Sequence, residues 1–183
     1  MKKTLFLILL LTSTFIASAQ KFENAVVLNY RFDFSLAKVE GVDLKEYYTM
    51  SAEDAMDDPD EAFRRFAKKA ESTFILSANK NSLIDKGYKL DNKDDLPFEV
   101  VIYPMDIDDD GAHNILGIVI EKATKQEIAR VKSRVGGGRM NDFQVLFLEN
   151  LQKLGERFGD KLADDILDRA KNKGRFATPQ GNW

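Results

Sequence analysis

The chain has no cysteine, which excludes a disulfide framework, thiol chemistry, thiolate metal sites and a lipid-bearing cysteine near the N-terminus. It has one histidine, His113, too few for the common multi-histidine zinc sites. No nucleophile or orienting partner is visible for that histidine as a general base, and it reads as an exposed residue beside an acidic turn. Basic residues are not in excess: 27 Lys and Arg against 30 Asp and Glu give a formal charge of −3, mixed in sign along the chain. Nucleic acid is therefore not an expected partner, since phosphate binding calls for clustered cations. No apolar run reaches the roughly 20 residues that cross a bilayer.

What is present begins with Lys2 and Lys3, an apolar segment from Leu5 to Leu11, and Ala17-Ser18-Ala19. A charged start, a short apolar run and a small-x-small site make a secretory signal peptide over residues 1–19. Cleavage after Ala19 leaves a soluble chain starting at Gln20, bound for the periplasm or the outside. Residues 20–172 are then expected to form one α/β domain, followed by a polar tail over 173–183. Without disulfides, apolar packing alone must stabilise it.

The residues from Val26 to Leu36 alternate, with Val26, Leu28, Tyr30, Phe32, Phe34 and Leu36 on one side, as in a half-buried strand. The segment from Ala37 to Asp58 has no sustained period and reads as an ordered loop with one short helix. Asp57-Asp58-Pro59 is a helix start. Phe63, Phe66, Ala67, Ala70, Phe74 and Ala78 then recur at helical spacing up to about Lys86, with a break at Ser72-Thr73 or Ala78-Asn79 as an alternative, and Gly87 stops the helix. Strands follow at Tyr88–Leu90, Phe98–Met105, Ile115–Lys122 and Glu127–Val135. The two middle ones are apolar on both faces, so they are expected to be central and covered on both sides. Phe143, Phe147, Leu151, Leu154, Phe158, Leu162 and Ile166 form the stripe of a last helix from about Asn141 to Lys171, in which Gly155 and Gly159 imply a close approach to the sheet or to another helix. This order predicts an α+β fold: a two-layer sandwich with a mostly antiparallel sheet of four to five strands and both long helices on one face.

Three clusters carry candidate chemistry. Asp106-x-Asp108-x-Asp110-Gly111 opens like a calcium loop, in which alternate carboxylates meet a hard cation. The helix–loop–helix form fails, because the twelfth position is Gly117 where a bidentate Glu is needed, so the choice lies between a calcium-binding hairpin turn and a solvated acidic turn. Gly136-Gly137-Gly138-Arg139 precedes a helix N-terminus and reads as an anion cradle or as a mobile connector capped by Asn141 or Asp142. Arg130, Lys132, Arg134 and Arg139 line one strip, either a docking surface for an acidic partner, anionic glycan or lipid headgroup, or a charged edge that resists unwanted pairing.

The opening strand ending in Asp33-Phe34-Ser35, the helix running into Asn79–Gly87, the acidic hairpin, Gly136-Gly137-Gly138, and a final helix with Leu154-Gly155 and Phe158-Gly159 resemble a group of uncharacterised exported α/β proteins. These are distantly similar to the TolB N-terminal domain, the curli-secretion lipoprotein and the penicillin-binding-protein activators. The resemblance implies a non-enzymatic module that binds another envelope protein or itself, here without the anchoring cysteine of the lipoprotein members. A calcium- or ligand-binding exported protein is the alternative, and an exported hydrolase the third reading.

Expression of the full chain in a Gram-negative host tests the export reading. The expected product is periplasmic or secreted and begins at Gln20 by N-terminal sequencing; a cytoplasmic product that keeps Met1-Lys2-Lys3 contradicts it.

Overall fold

The computed structural model describes residues 26–51, 58–80, 82–93, 95–138 and 142–173. The expected signal peptide, nearly all of the C-terminal tail and Arg139 lie outside these residues.

The alternation from Val26 forms strand β1 (Val26–Phe32), which stops short of Leu36. Asp33 Oδ1 accepts from the Ser35 N–H and the Ala37 N–H donates to the Phe34 carbonyl, a turn that leaves Leu36 46% exposed. The segment read as a loop holds two short antiparallel strands, β2 (Lys38–Val39) and β3 (Val42–Asp43), and helix α1 (Leu44–Ser51). Its aromatics dock it: Tyr48 stacks on Phe66 at 4.6 Å and Tyr47 meets Phe143 at 4.9 Å.

Asp58 caps helix α2 (Pro59–Ala78) by accepting from the Glu61 N–H at 3.0 Å. The helix ends at the Ala78-Asn79 alternative rather than near Lys86. The Asn79 side chain donates to the Leu90 carbonyl at 2.8 Å and accepts from its N–H at 2.7 Å, standing in for a neighbouring strand. A short α3 (Ser82–Asp85) leads through Gly87 into β4 (Tyr88–Asp91). Strands β5 (Phe98–Met105), β6 (His113–Glu121) and β7 (Gln126–Val135) follow, and α4 (Phe143–Lys173), capped by Asp142, completes the described chain.

The fold is α+β. Its main sheet has the order β4-β1-β5-β6-β7, with β1 parallel to both neighbours and β5-β6-β7 antiparallel. Strand β4 pairs with β1 up to Asn29 and β5 pairs on its other side from Asn29 onward, so the chain changes sides of β1 between β4 and β5 at that level. Asn29, 3% exposed, holds the crossing: it accepts from the Lys93 N–H and donates to Glu99 Oε1, each at 3.0 Å. A buried amide there would be costly without both partners.

The helices form one layer on one face. Phe158 of α4 lies on Gly117 of β6, where any Cβ would collide with the ring. Phe74 of α2 meets Phe32 at 5.4 Å and Phe158 at 5.3 Å. Gly155 and Gly159 bring α4 onto α2, because a Cβ at either position would strike the Phe74 or Ala78 carbonyl. The close approach implied by these two glycines is thus to a helix. Val100, Ile102, Ile115, Val119 and Ala129 are buried beneath this layer.

Among the described residues helices cover one face of the sheet only, and the other face is half-buried. α2 and α4 pack side by side on the Gly117 face, and residues 37–51 join them there through Val39, Leu44 and Tyr48. Val119, in register with Val100 and Ala129, points to the helices. Val101, buried yet outside the main core cluster, faces the other way.

Replacing Gly155 or Gly159 with alanine improves helix propensity by about 1 kcal/mol, yet the collision dominates. Each variant is expected to lose about 2 kcal/mol of stability or more in denaturant unfolding; a variant as stable as the parent contradicts the packing.

Candidate functional site

The helix-free face is assembled by register. Arg31, Val101, Ile118 and Arg130 stand in one row across β1, β5, β6 and β7; Tyr103, Leu116 and Lys132 form the next, and Met105, Asn114 and Arg134 the third. Tyr103, Met105, Leu116, Ile118 and Ile120 are half-buried, shielded only in part by one another. An apolar centre therefore lies between charged borders. On the β1 border, Arg31 pairs with Asp33 at 2.7 Å. Burial pushes the Asp33 carboxyl up, but the hydrogen bonds from Ser35 and Arg31 outweigh it and hold it below its ordinary range.

The β7 border carries the predicted basic strip. A bulge opposite Val119 and Ile120 puts Glu127 in register with Ile120, so Glu127 and Arg130, three apart, share a face and pair at 2.6 Å. Lys132 and Arg134 are exposed and have no carboxylate in ion-pair reach among the described residues. Their carbonyls point out of the sheet edge, where α4 caps them: Lys161 Nζ donates to the Lys132 carbonyl at 2.7 Å and Arg157 to the Arg134 carbonyl at 2.8 Å. Sequence reading missed Arg157 and Lys161, which look like an ordinary solvated helix face until α4 is laid along β7. Where Lys161 meets the strand there is a depression of about 300 Å³.

The acidic turn is tied down by its own chain. Asp106 Oδ2 accepts from Asn114 at 3.2 Å, and Asp110 Oδ1 accepts from the Ala112 N–H at 3.0 Å. The Asp110 carbonyl takes the Gly138 N–H at 3.0 Å, and Gly137 lies so close to the Asp110 carboxylate that a Cβ would overlap it. The glycine connector, read as an anion cradle or as a mobile connector, is held against the acidic turn there. Asp106, Asp108 and Asp110 do not converge: among the described residues no three acidic or histidine side chains gather where a metal ion would sit.

His113 corrects the reading of an exposed turn residue, being only 1% exposed. It starts β6 in phase with Ile115, Gly117 and Val119, so it points into the helix layer and stacks on Phe147 at 4.9 Å. That phase was the signal in the sequence. Nδ1 donates to the Gly111 carbonyl at 2.9 Å, which also accepts from Asn150, while Nε2 has no partner among the described residues. Burial pushes its pKa down to about 4, against the hydrogen bond to Gly111.

No family model and no curated protein matches the chain. Among solved structures it is similar to a protein of Xanthomonas campestris assigned to family DUF330, with 8% identity and a TM-score of 0.41, covering 58% of this chain and 66% of that one, just under two thirds of its length. It is also similar to the PelC dodecamer of Paraburkholderia phytofirmans in two crystal forms. In one the identity is 9%, with 74% of this chain and 92% of that one covered and a TM-score of 0.37; in the other the figures are 10%, 73%, 88% and 0.36. Neither carries the name of a TolB, curli-secretion or penicillin-binding-protein-activator module, and likenesses this remote say nothing of what this chain does. Among the described residues no helix is long and apolar enough to cross a membrane.

Between pH 6.5 and about 4 the unfolded chain takes up a proton on His113 that the folded chain refuses. The stability due to its neutral form is full above pH 6.5 and is lost as pH falls, by up to about 3 kcal/mol. His113→Phe is expected to flatten that slope in denaturant unfolding at pH 7, 5.5 and 4.5; an unchanged slope contradicts the buried neutral imidazole.

Proposed function

We propose that this chain is an exported cell-envelope accessory module without catalytic activity, built from one domain over residues 20–172. It works by docking another envelope protein, or a second copy of itself, on the helix-free face of its sheet. One observation carries the reading: Tyr103, Leu116 and Ile118 form a half-buried apolar centre on which no described helix lies, bordered by Arg31 on one side and by Arg130, Lys132 and Arg134 on the other. Contiguous apolar surface with a polar rim is what docking surfaces present. The leader-like pattern of residues 1–19 supports export, and the capped β7 edge supports recognition through side chains rather than by strand addition.

Light scattering of the purified chain and co-purification from its own envelope fraction test this. An oligomer or a stoichiometric envelope partner is expected, weakened at least tenfold by Leu116→Asp with Ile118→Asp while the circular dichroism spectrum is kept. A partnerless monomer, or an association that survives both substitutions, contradicts it.

A further inference from the structure

In a chain with more acids than bases, four cations stand together along one sheet edge: Lys132 and Arg134 on β7, and Arg157 and Lys161 on α4, each donating to one of their carbonyls. None has a carboxylate in ion-pair reach among the described residues. Carboxylates are abundant on α4, yet Asp164 pairs with Lys86, in the turn after α3. Three of these cations, Lys132, Arg134 and Lys161, line the depression of about 300 Å³ at the β7 end of the open face, and its floor includes Met105 and Leu116. The one acid in the lining, Asp106, accepts from Asn114. From Leu116 the apolar row continues to Tyr103 on β5, so the depression opens onto the greasy centre of the sheet and not onto bulk water alone.

We infer that this depression is a binding site for a single-chain anionic amphiphile, its head held by Lys132, Arg134 and Lys161 and its apolar body lying over Met105 and Leu116 toward Tyr103. Three positive charges around a low-dielectric floor concentrate anionic ligands, and a concave apolar lining with a few convergent polar groups is the usual form of a small-ligand site. The volume suits a chain of about eight carbons with a carboxylate or phosphate head, being at the lower end of the roughly 300–1,000 Å³ typical of such sites. An anion without an apolar body would leave the floor wet, and a neutral amphiphile would leave the cations unpaired; the site selects for both features at once. The inference needs no partner protein, so it stands or falls separately from docking on the sheet.

The test is an NMR titration of the isotope-labelled domain with four probes below their micellar concentrations: octanoate, octyl phosphate, octyl glucoside and inorganic phosphate. Octanoate or octyl phosphate is expected to saturate at one molecule per chain and to shift the amides of Leu116 and Ser133, the tighter of the two naming the source of the head group. Lys132→Glu with Arg134→Glu, both exposed and outside the core, is expected to weaken binding at least tenfold with the spectrum otherwise unchanged. Leu116→Asn tests the floor independently and should weaken the octyl ligands alone. Equal binding of octyl glucoside, equal binding of inorganic phosphate, wild-type affinity in the charge-reversed variant, or no saturable shift with either anionic octyl probe overturns the inference.

Discussion

The contact of α4 with α2 through Gly155 and Gly159, and of Phe158 with Gly117, sets the terms for everything else in this chain. Two helices whose backbones approach that closely act as one slab, and a ring seated on a glycine fixes the slab against a single face of the sheet. Packing of this density leaves little room for either helix to cross to the other side. The strands, however, are apolar on both faces. The set of residues in phase with Gly117 is used up in making the core, and the alternate set, from Val101 to Ile120, has no described helix over it, while Asn29 on that face takes the Lys93 N–H.

Charge follows the same geometry. α4 turns its apolar stripe to the sheet and so lays its flank along β7, where Arg157 and Lys161 meet carbonyls that would otherwise form an open template for another strand. A bulge neutralises Arg130 with Glu127 but leaves Lys132 and Arg134 to solvent. Edge protection and a localised positive field thus come from one arrangement.

Much of this was readable in order. Periodicity marks the two long helices and the five strands of the main sheet but not β2 and β3, and cap chemistry marks the helix start at Asp57-Asp58-Pro59 and offers Asn141 or Asp142 for the last helix, because period and cap chemistry are local. The glycine pair predicted a close approach but not its target, since spacing along one helix does not say which element faces it. Parallel pairing of β1 with both neighbours was invisible, because register is set by contacts far apart in sequence. Asn29 and Asn79 look like ordinary polar residues until the strand each one serves is in place. His113 looks like a turn residue by its neighbours, and only its phase with Ile115 points it inward. In the acidic turn, spacing matched a metal loop, whereas Asn114 and the Ala112 amide supply the partners that Asp106 and Asp110 have.

The absence of native cysteine offers the most direct measurement of whether one face is closed and the other open. Ile118→Cys and Val119→Cys place single thiols on adjacent residues of β6, one on each face, for labelling in the native state at low protein concentration. Rapid modification at 118 together with protection at 119 until unfolding is the predicted result. Equal protection at both, or faster reaction at 119, would contradict a sheet covered on one side by its own helices.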